Sequence, residues 1–474
     1  MEPSDIDGPS LMKAPFNLTD GRQLLPTLAV FGWTLILSAA MIITFWPGVG
    51  TWEVLQFALQ RKLPVMNDWK SPFVASIYWL SDDLFKSTGP ILLVQQALFW
   101  SGLAMLAESI FRRVWQQMLF ILAIAALPPI WITEIMLWKE AWTLSFLTLG
   151  MGATLAFLRK NRTIFAIIAL LSAILLTATR PNALPLALPT LYLIAQTFAG
   201  KTSRAGKNQR RLIIGVVFAI FIGATLGVNW MLNHRGKQRC HIWHHALLWD
   251  LAAISLVEKK MLIPDEFRKS GQAGSMARVQ QYFTYYNSDP LFFNHNSPLK
   301  LHGTAWTSCA ERPPLGTLVK SWRNAIIAYP GTYLHHRLLY LVHLLGIPDM
   351  SENWWGRRYY RIDSEFTPKA NRSDRFEHIR RSPIYEFLAA GIPLRGWFYL
   401  VVFLLSALGR SSKTSRSDAY LWGLWLAGCV YLVSFLAIGS GAVMRYLVVY
   451  VVLGPTILAG RWMAPTSPES GSSR

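Results

Sequence analysis

LLPTLAVFGWTLILSAAMIITFW, residues 24–46, runs straight into PGVGTWEVLQFALQRKLPVMNDWKSP, residues 47–72. The first part is apolar over more than the ~20 residues that cross a bilayer. The second is too polar to sit in lipid and too apolar for a plain solvated loop. It carries Glu53 and Asp68 among Trp52, Gln56, Trp69 and Lys70. That mixture, directly after a span, reads as a segment lying at the membrane surface and lining a site. The apolar run that follows, Phe73 to Leu80, is too short to cross and reads as interfacial.

Composition points the same way. Of 474 residues, 52% are hydrophobic and 15% charged, and the mean hydropathy is +0.29. A soluble chain carries about a quarter charged residues. Twenty-one Trp fit interfacial belts and aromatic-lined cavities. The N-terminus does not read as a cleavable signal, because its first apolar run starts near Leu24 with no small-residue cleavage site after it. The formal charge of +20 does not mark a nucleic-acid partner. The cations fall in short loops between spans or in one large hydrophilic region, where they suit membrane lipids or an anionic substrate, and no nucleic-acid motif accompanies them. No P-loop, Gly-rich dinucleotide motif, GxSxG or tandem repeat is present, which argues against nucleotide-driven transport.

Further spans are expected at about Pro90–Phe111, Gln117–Met136, Ala141–Leu158, Thr163–Thr179, Leu184–Phe198, Leu212–Leu232, Gly396–Leu408, Tyr420–Ile438 and Val443–Leu458. With the N-terminus inside, the inner loops are Arg112-Arg113, Arg159–Arg162, Lys201–Arg211 and Arg410–Arg416. These are the Lys/Arg-rich short loops, as the positive-inside rule asks. The expectation is an all-α integral membrane protein of about ten transmembrane helices. Residues 1–23 form a cytoplasmic N-terminus, and 24–232 hold spans 1–7 with a first outer loop at 47–89. Residues 233–394 form a helical or mixed extracytoplasmic domain, 395–460 hold spans 8–10, and 461–474 form a cytoplasmic tail.

This topology sends Glu53, Asp68, Lys70, Lys139, Glu140, Arg180 and Arg445 to one face. Carboxylates able to act as base or metal ligand meet cations suited to phosphate. A carboxylate that takes a hydroxyl proton beside cations that hold a leaving phosphate makes a glycosyl-transfer site. Residue by residue, the competing reading is that these charges only anchor span ends.

Four places carry a resemblance: Pro47-Gly48 with Trp52-Glu53 and Gln56; Asp68-Trp69-Lys70-Ser71-Pro72; Trp138-Lys139-Glu140; and Arg180-Pro181-Asn182. Weaker echoes are Trp249-Asp250, Tyr329–Tyr333 and Arg445-Tyr446. Together they resemble the polytopic GT-C class of glycosyltransferases, which use polyprenyl-phosphate sugars, in its less-studied bacterial members. The likeness extends, more weakly, to the protein mannosyltransferases and the aminoarabinose transferase of lipid A. Where the class carries Asp, Lys-Asp and Asp-Trp-His-Pro-Pro, this chain carries Glu53, Lys139-Glu140 and Asp68-Trp69-Lys70-Ser71-Pro72.

The resemblance implies a GT-C-like fold in a bacterial inner membrane and an inverting transfer. The donor would be a polyprenyl-phosphate-linked sugar and the acceptor an envelope glycan, lipid or protein. Glu53 would be the base, with Asp68 or Glu140 orienting the acceptor or holding a divalent cation, whose requirement varies within the class. Lys139, Arg180 and Arg445, with Lys70 and Asn182 beside them, would bind the substrate and its leaving phosphate. From other classes, the alternatives are a transporter or flippase of a lipid-linked glycan, or a non-catalytic membrane scaffold.

Other features read more plainly. Cys240 and Cys309 form one disulfide or stay free, and Cys429 reads as a core residue of a late span. His241, His244 and His245, at helical spacing, read as surface histidines in preference to a metal site. Trp354–Arg361 and His335-His336-Arg337 read as interfacial anchors, and Glu108 and Glu134 as snorkelling acids near span ends.

Overall fold

The computed structural model describes residues 21–50, 52–61, 63, 69, 71–201, 207–233, 240–301, 309, 315–347, 392, 395–408, 415–441 and 444–463. Among them the chain is all-helical, and extended pairing is limited to isolated bridges. The first half contains α1 (Gly21–Phe45), α2 (Trp52–Arg61), α3 (Pro72–Phe85), α4 (Gly89–Ile110), α5 (Val114–Ala125), α6 (Pro128–Ile135), α7 (Lys139–Lys160), α8 (Thr163–Thr179), α9 (Leu184–Lys201) and α10 (Lys207–Asn233). A second group, outside the apolar bundle, contains α11 (His244–Val257), α12 (Met276–Tyr282), α13 (Pro290–Phe293), α14 (Leu315–Ala328) and α15 (Pro330–Leu344). The chain then returns to the bundle with α16 (Gly396–Leu405), α17 (Arg416–Ile438) and α18 (Val448–Met463).

Among the described residues, six helical segments are long and apolar enough to cross a membrane: Thr27–Phe45, Gly89–Ile110, Lys139–Lys160, Pro181–Gly200, Asn208–Val228 and Arg416–Ile438. A seventh arises if α5 and α6, bent by 71° at their break, count as one. The break falls at Pro128-Pro129, where the ring removes a donor and clashes with the preceding turn. The expected spans 5, 8 and 10 fall on shorter helices, α8, α16 and α18, of 17, 10 and 16 residues.

Helix α7 is the central post. Acidic Glu140 lies in its first turn and basic Arg159 and Lys160 in its last, matching the helix dipole at both ends. It crosses α4 at backbone contact. A Cβ on Gly102 would meet the Leu149 nitrogen at 2.5 Å, and one on Gly152 would meet the Gly102 carbonyl at 2.5 Å. Small residues allow that approach, and van der Waals packing then holds a bundle without help from water.

The bend between α5 and α6 turns α6 inward against α4, α7 and α18. Glu134 on α6 therefore does not snorkel. It is 1% exposed, and both its carboxylate oxygens lie 3.4 Å from Ser145 Oγ. Glu108 fits the anchoring expectation better: Lys160 Nζ donates to both of its oxygens at 2.9 Å near the surface. Arg461, near the end of α18, pairs with Asp418 at 3.1 Å. These basic clusters lie at the opposite helix ends from the acid–cation cluster described next.

Candidate functional site

Backbone stitching builds the site. Helix α1 stops at Phe45, and Gly48 takes φ 101°, a left-handed conformation that only glycine adopts freely. Val49 can then lie beside Met136: its N–H donates to Ile135 O (2.9 Å), and Leu137 N donates to Val49 O (3.1 Å). Thr88 Oγ1 also donates to Pro47 O at 3.0 Å. This parallel bridge fixes the start of α2, hence Glu53, beside the start of α7, hence Lys139 and Glu140. On the other flank, Ser71 caps α3 with Pro72 in its first turn, and Ser71 Oγ donates to Ala178 O at 2.9 Å. That bond brings the loop before α3 to the end of α8, where Arg180 sits.

Glu53 and Glu140 are both buried. Lys139 Nζ lies 3.5 Å from Glu53 Oε1, and Arg445 Nη1 lies 3.8 Å from Glu53 Oε2. Arg180 Nη1 donates to Glu140 Oε1 at 3.2 Å, and Arg445 Nε lies 3.9 Å from the same oxygen. Arg445 thus joins the two carboxylates. Arg180 Nε donates to Asn182 Oδ1 at 3.1 Å, closing the Arg-Pro-Asn turn on itself. The Arg180 guanidinium lies over Tyr446 at 4.7 Å and Phe435 at 5.1 Å, and Arg445 lies over Trp138 at 4.9 Å. Burial works against the charge on Arg180, but Tyr431, Glu140 and Tyr446 outweigh it and raise its pKa. Burial also opposes Arg445, and Glu140 and Glu53 raise it. Both arginines are therefore fixed positive charges inside the protein.

A cleft of about 440 Å³ opens onto this cluster, lined by Trp69, Lys139, Arg180, Asn182, Ser440 and Tyr446 among others. A second cavity of the same volume lies alongside and is lined almost wholly by apolar side chains, including Phe73, Ile77, Val94, Trp142 and Phe146. The two are flanked by the same helices, α3, α7 and α8, through different residues. Pro72 faces the polar cleft and Phe73 the apolar one, while Ala178 and Leu175 of α8 divide in the same way.

Of the expected site residues, Glu53, Glu140, Lys139, Arg180, Asn182 and Arg445 come together in one place. Asp68 and Lys70 lie outside the described residues, as does Trp354–Arg361. Their described neighbours Trp69 and Ser71 line the cleft.

Two groups were misread. His244 and His245 are buried, not at the surface. His244 Nδ1 donates to His241 O at 2.6 Å, and the His245 ring packs on Phe292 at 4.3 Å and faces Trp69 at 6.5 Å. Burial, then His244, push the His245 pKa down to about 3. Among the described residues no group of three or more His, Cys, Asp or Glu is placed to hold a metal ion.

His336 and Arg337 are also buried and are not interfacial anchors. Arg337 Nη2 donates to Asp250 Oδ2 at 2.7 Å, His336 Nε2 lies 3.3 Å from Asp250 Oδ1, and Trp322 Nε1 donates to Asp250 Oδ2 at 2.9 Å. Arg337 Nη1 also donates to Gly439 O at 2.7 Å, so this network holds the cleft wall from outside the bundle. Of the two states the sequence left open for Cys240 and Cys309, the structure has the disulfide, and it packs against Trp69. The Trp249-Asp250 echo had marked Asp250 in the sequence.

No family model, curated protein or solved structure matches the chain.

Proposed function

We propose that the chain is a multi-pass membrane glycosyltransferase. It moves a sugar from a polyprenyl-phosphate donor to an envelope glycan, lipid or protein acceptor on the extracytoplasmic face. The observation that carries this reading is the cleft itself. Two buried carboxylates and three cations meet at one end of an apolar bundle, and an apolar cavity is flanked by the same helices α3, α7 and α8 as the cleft. A phosphate with a lipid tail suits both chambers at once.

On this reading Glu53 accepts the acceptor's hydroxyl proton as the new oxygen–carbon bond forms at the anomeric centre. The bond from that carbon to the phosphate oxygen breaks with inversion, and polyprenyl phosphate leaves. Lys139, Arg180 and Arg445 take up the charge that develops on it. Glu140 holds the two arginines in place, and Asn182 orients Arg180. The shorter helices α8, α16 and α18 serve as crossings, giving ten spans with a cytoplasmic N-terminus in a bacterial inner membrane. The Cys240–Cys309 disulfide supports an oxidising, extracytoplasmic setting for the cleft side.

The test is sugar transfer in nanodiscs from a panel of polyprenyl-phosphate sugars to envelope lipid extract, comparing wild type with Glu53→Gln. A positioned base contributes about 10²- to 10⁴-fold. The turnover number should fall by that order while donor KM holds, since the phosphate-binding cations remain. Undiminished transfer by the folded variant would remove Glu53 from the role.

One observation favours a flippase for a lipid-linked glycan: the broken α5–α6 pair carries the buried Glu134. That reading expects Glu134→Gln, not Glu53→Gln, to abolish movement of a fluorescent polyprenyl-diphosphate glycan across a proteoliposome membrane.

A further inference from the structure

LGTLVKSWRNAIIA, residues 315–328, and PGTYLHHRLLYLVHL, residues 330–344, form the helices α14 and α15, separated only by Tyr329. Each has one face turned to the protein. On α15 that face carries His336, Arg337, Tyr340 and Leu344. Two residues turn an α-helix by about 200°, so Leu334 and Leu338 point roughly the opposite way. They are 57% and 50% exposed, and Ile347 just beyond the helix is 57% exposed. On α14, Leu318 and Ala325 are buried, while Lys320, Arg323 and Ile327 share an outer face at spacings of three and four. An exposed apolar stripe bordered by cations is the pattern of a helix lying in a membrane interface.

Its position in the fold says what covers that stripe. Helix α15 is strung between the ends of two apolar bundle helices. At one point Arg337 Nη1 donates to Gly439 O and Tyr340 Oη donates to Gly441 O, just past the C-terminus of α17. At the other, Trp397 N donates to Leu345 O and Arg395 Nη1 donates to Gly346 O, each at 3.0 Å, at the N-terminus of α16. Helix α15 therefore lies at the level where these helices leave the apolar layer. Its exposed leucines resemble the outward-facing Leu35 of α1 and Leu212 of α10, which lie on segments long and apolar enough to cross a membrane.

We propose that the α14–α15 hairpin is seated in the bilayer surface on the cleft side. Leu334, Leu338 and Ile327 lie among acyl chains, and Lys320 and Arg323 lie at the lipid phosphates. The partner is the lipid surface. The inference rests on the membrane character of the bundle and is independent of the transferase reading. It has a consequence for the cleft, because the inner face of α15 holds, through Arg337, the carbonyl of Gly439, a residue that lines it.

The test uses the full chain, with its disulfide intact and Cys429→Ala as background, at one copy per nanodisc of phosphatidylcholine and phosphatidylglycerol. Nitroxide labels go on single cysteines replacing Ile327, Leu334 and Leu338. Leu35→Cys serves as the lipid-facing control and the exposed Glu266→Cys as the water-facing one. Collision with oxygen relative to a water-soluble nickel chelate should rise several-fold over the Glu266 site and approach the Leu35 site. A ratio equal to that at Glu266 would place the stripe in water and overturn the proposal. Protection from both reagents would also overturn it, because another segment of the chain would then cover the stripe.

Discussion

Replacing Glu140 with Gln removes one charge from the buried ion cluster beside the cleft and leaves the side chain nearly the same size. Glu140 faces Arg180 at 3.2 Å and Arg445 at 3.9 Å. At an effective dielectric of about 20, those separations correspond to roughly 5 and 4 kcal/mol of attraction. Desolvation returns much of that, and breaking one buried pair costs about 3–5 kcal/mol. Arg445 keeps Glu53 at 3.8 Å, so the low end applies. The site also changes its balance. Lys139, Arg180 and Arg445 stand against two carboxylates, leaving one net positive charge, and Glu140→Gln leaves two. The unliganded variant should melt several degrees below wild type, and an anion should rescue it more. A ligand at 100 times its Kd stabilises by about 2.7 kcal/mol. Thermal scans in detergent, with and without undecaprenyl phosphate and at equal salt, read both effects. A variant that melts like wild type, or that gains no more from the phosphate than wild type does, would refute the assignment of these three cations to one anion site.

The other predictions concern the walls. Cys240→Ser with Cys309→Ser opens a bridge of sequence separation 69, which by loop entropy is worth about 4 kcal/mol. Because the bridge packs on Trp69, trypsin should then cut faster around residues 61–70, and unchanged digestion would count against the brace. His245 gives a pH signature. Its pKa in the fold is about 3, below the ordinary 6.5, so the stability that depends on its neutral form is complete above about pH 6.5 and lost as pH falls from there toward 3. At pH 5 the loss is about 2 kcal/mol, and His245→Gln should flatten that part of the melting curve against pH.

The sequence made the site legible through position more than through motif. Lys139-Glu140, Arg180 and Arg445 each stand at the end of an apolar run. Alternating crossings must bring such ends to the same side, so their meeting required only the span order. Glu53 needed one thing more, the Gly48 turn and the Val49–Met136 bridge, and neither leaves a pattern in hydropathy. The 71° break did leave a signal, the Pro128-Pro129 pair, hidden inside an otherwise unbroken apolar run. The Asp250–Arg337 contact spans 87 residues and lies in the polar region, where no periodicity orders the helices. The same holds for the histidines. A His beside Trp and Cys looks solvated until α11 is seen buried beneath α14 and α15.

The pairing of the unliganded cleft bears on how a transferase there would work. Two of the cations that a leaving phosphate needs, Lys139 and Arg445, lie within 3.5 and 3.8 Å of the carboxylate that would take the proton. While they face Glu53 they neutralise its charge, and an acceptor hydroxyl must compete with them for it. A donor phosphate at Arg180 and Lys139 offers those cations a second anion and loosens their hold on Glu53. Arg445 is the natural pivot, since it already touches both carboxylates and sits on a short segment between α17 and α18. Donor binding would then precede acceptor activation. Without a donor the base would stay paired with Lys139 and Arg445, so an acceptor that arrived first would not be activated.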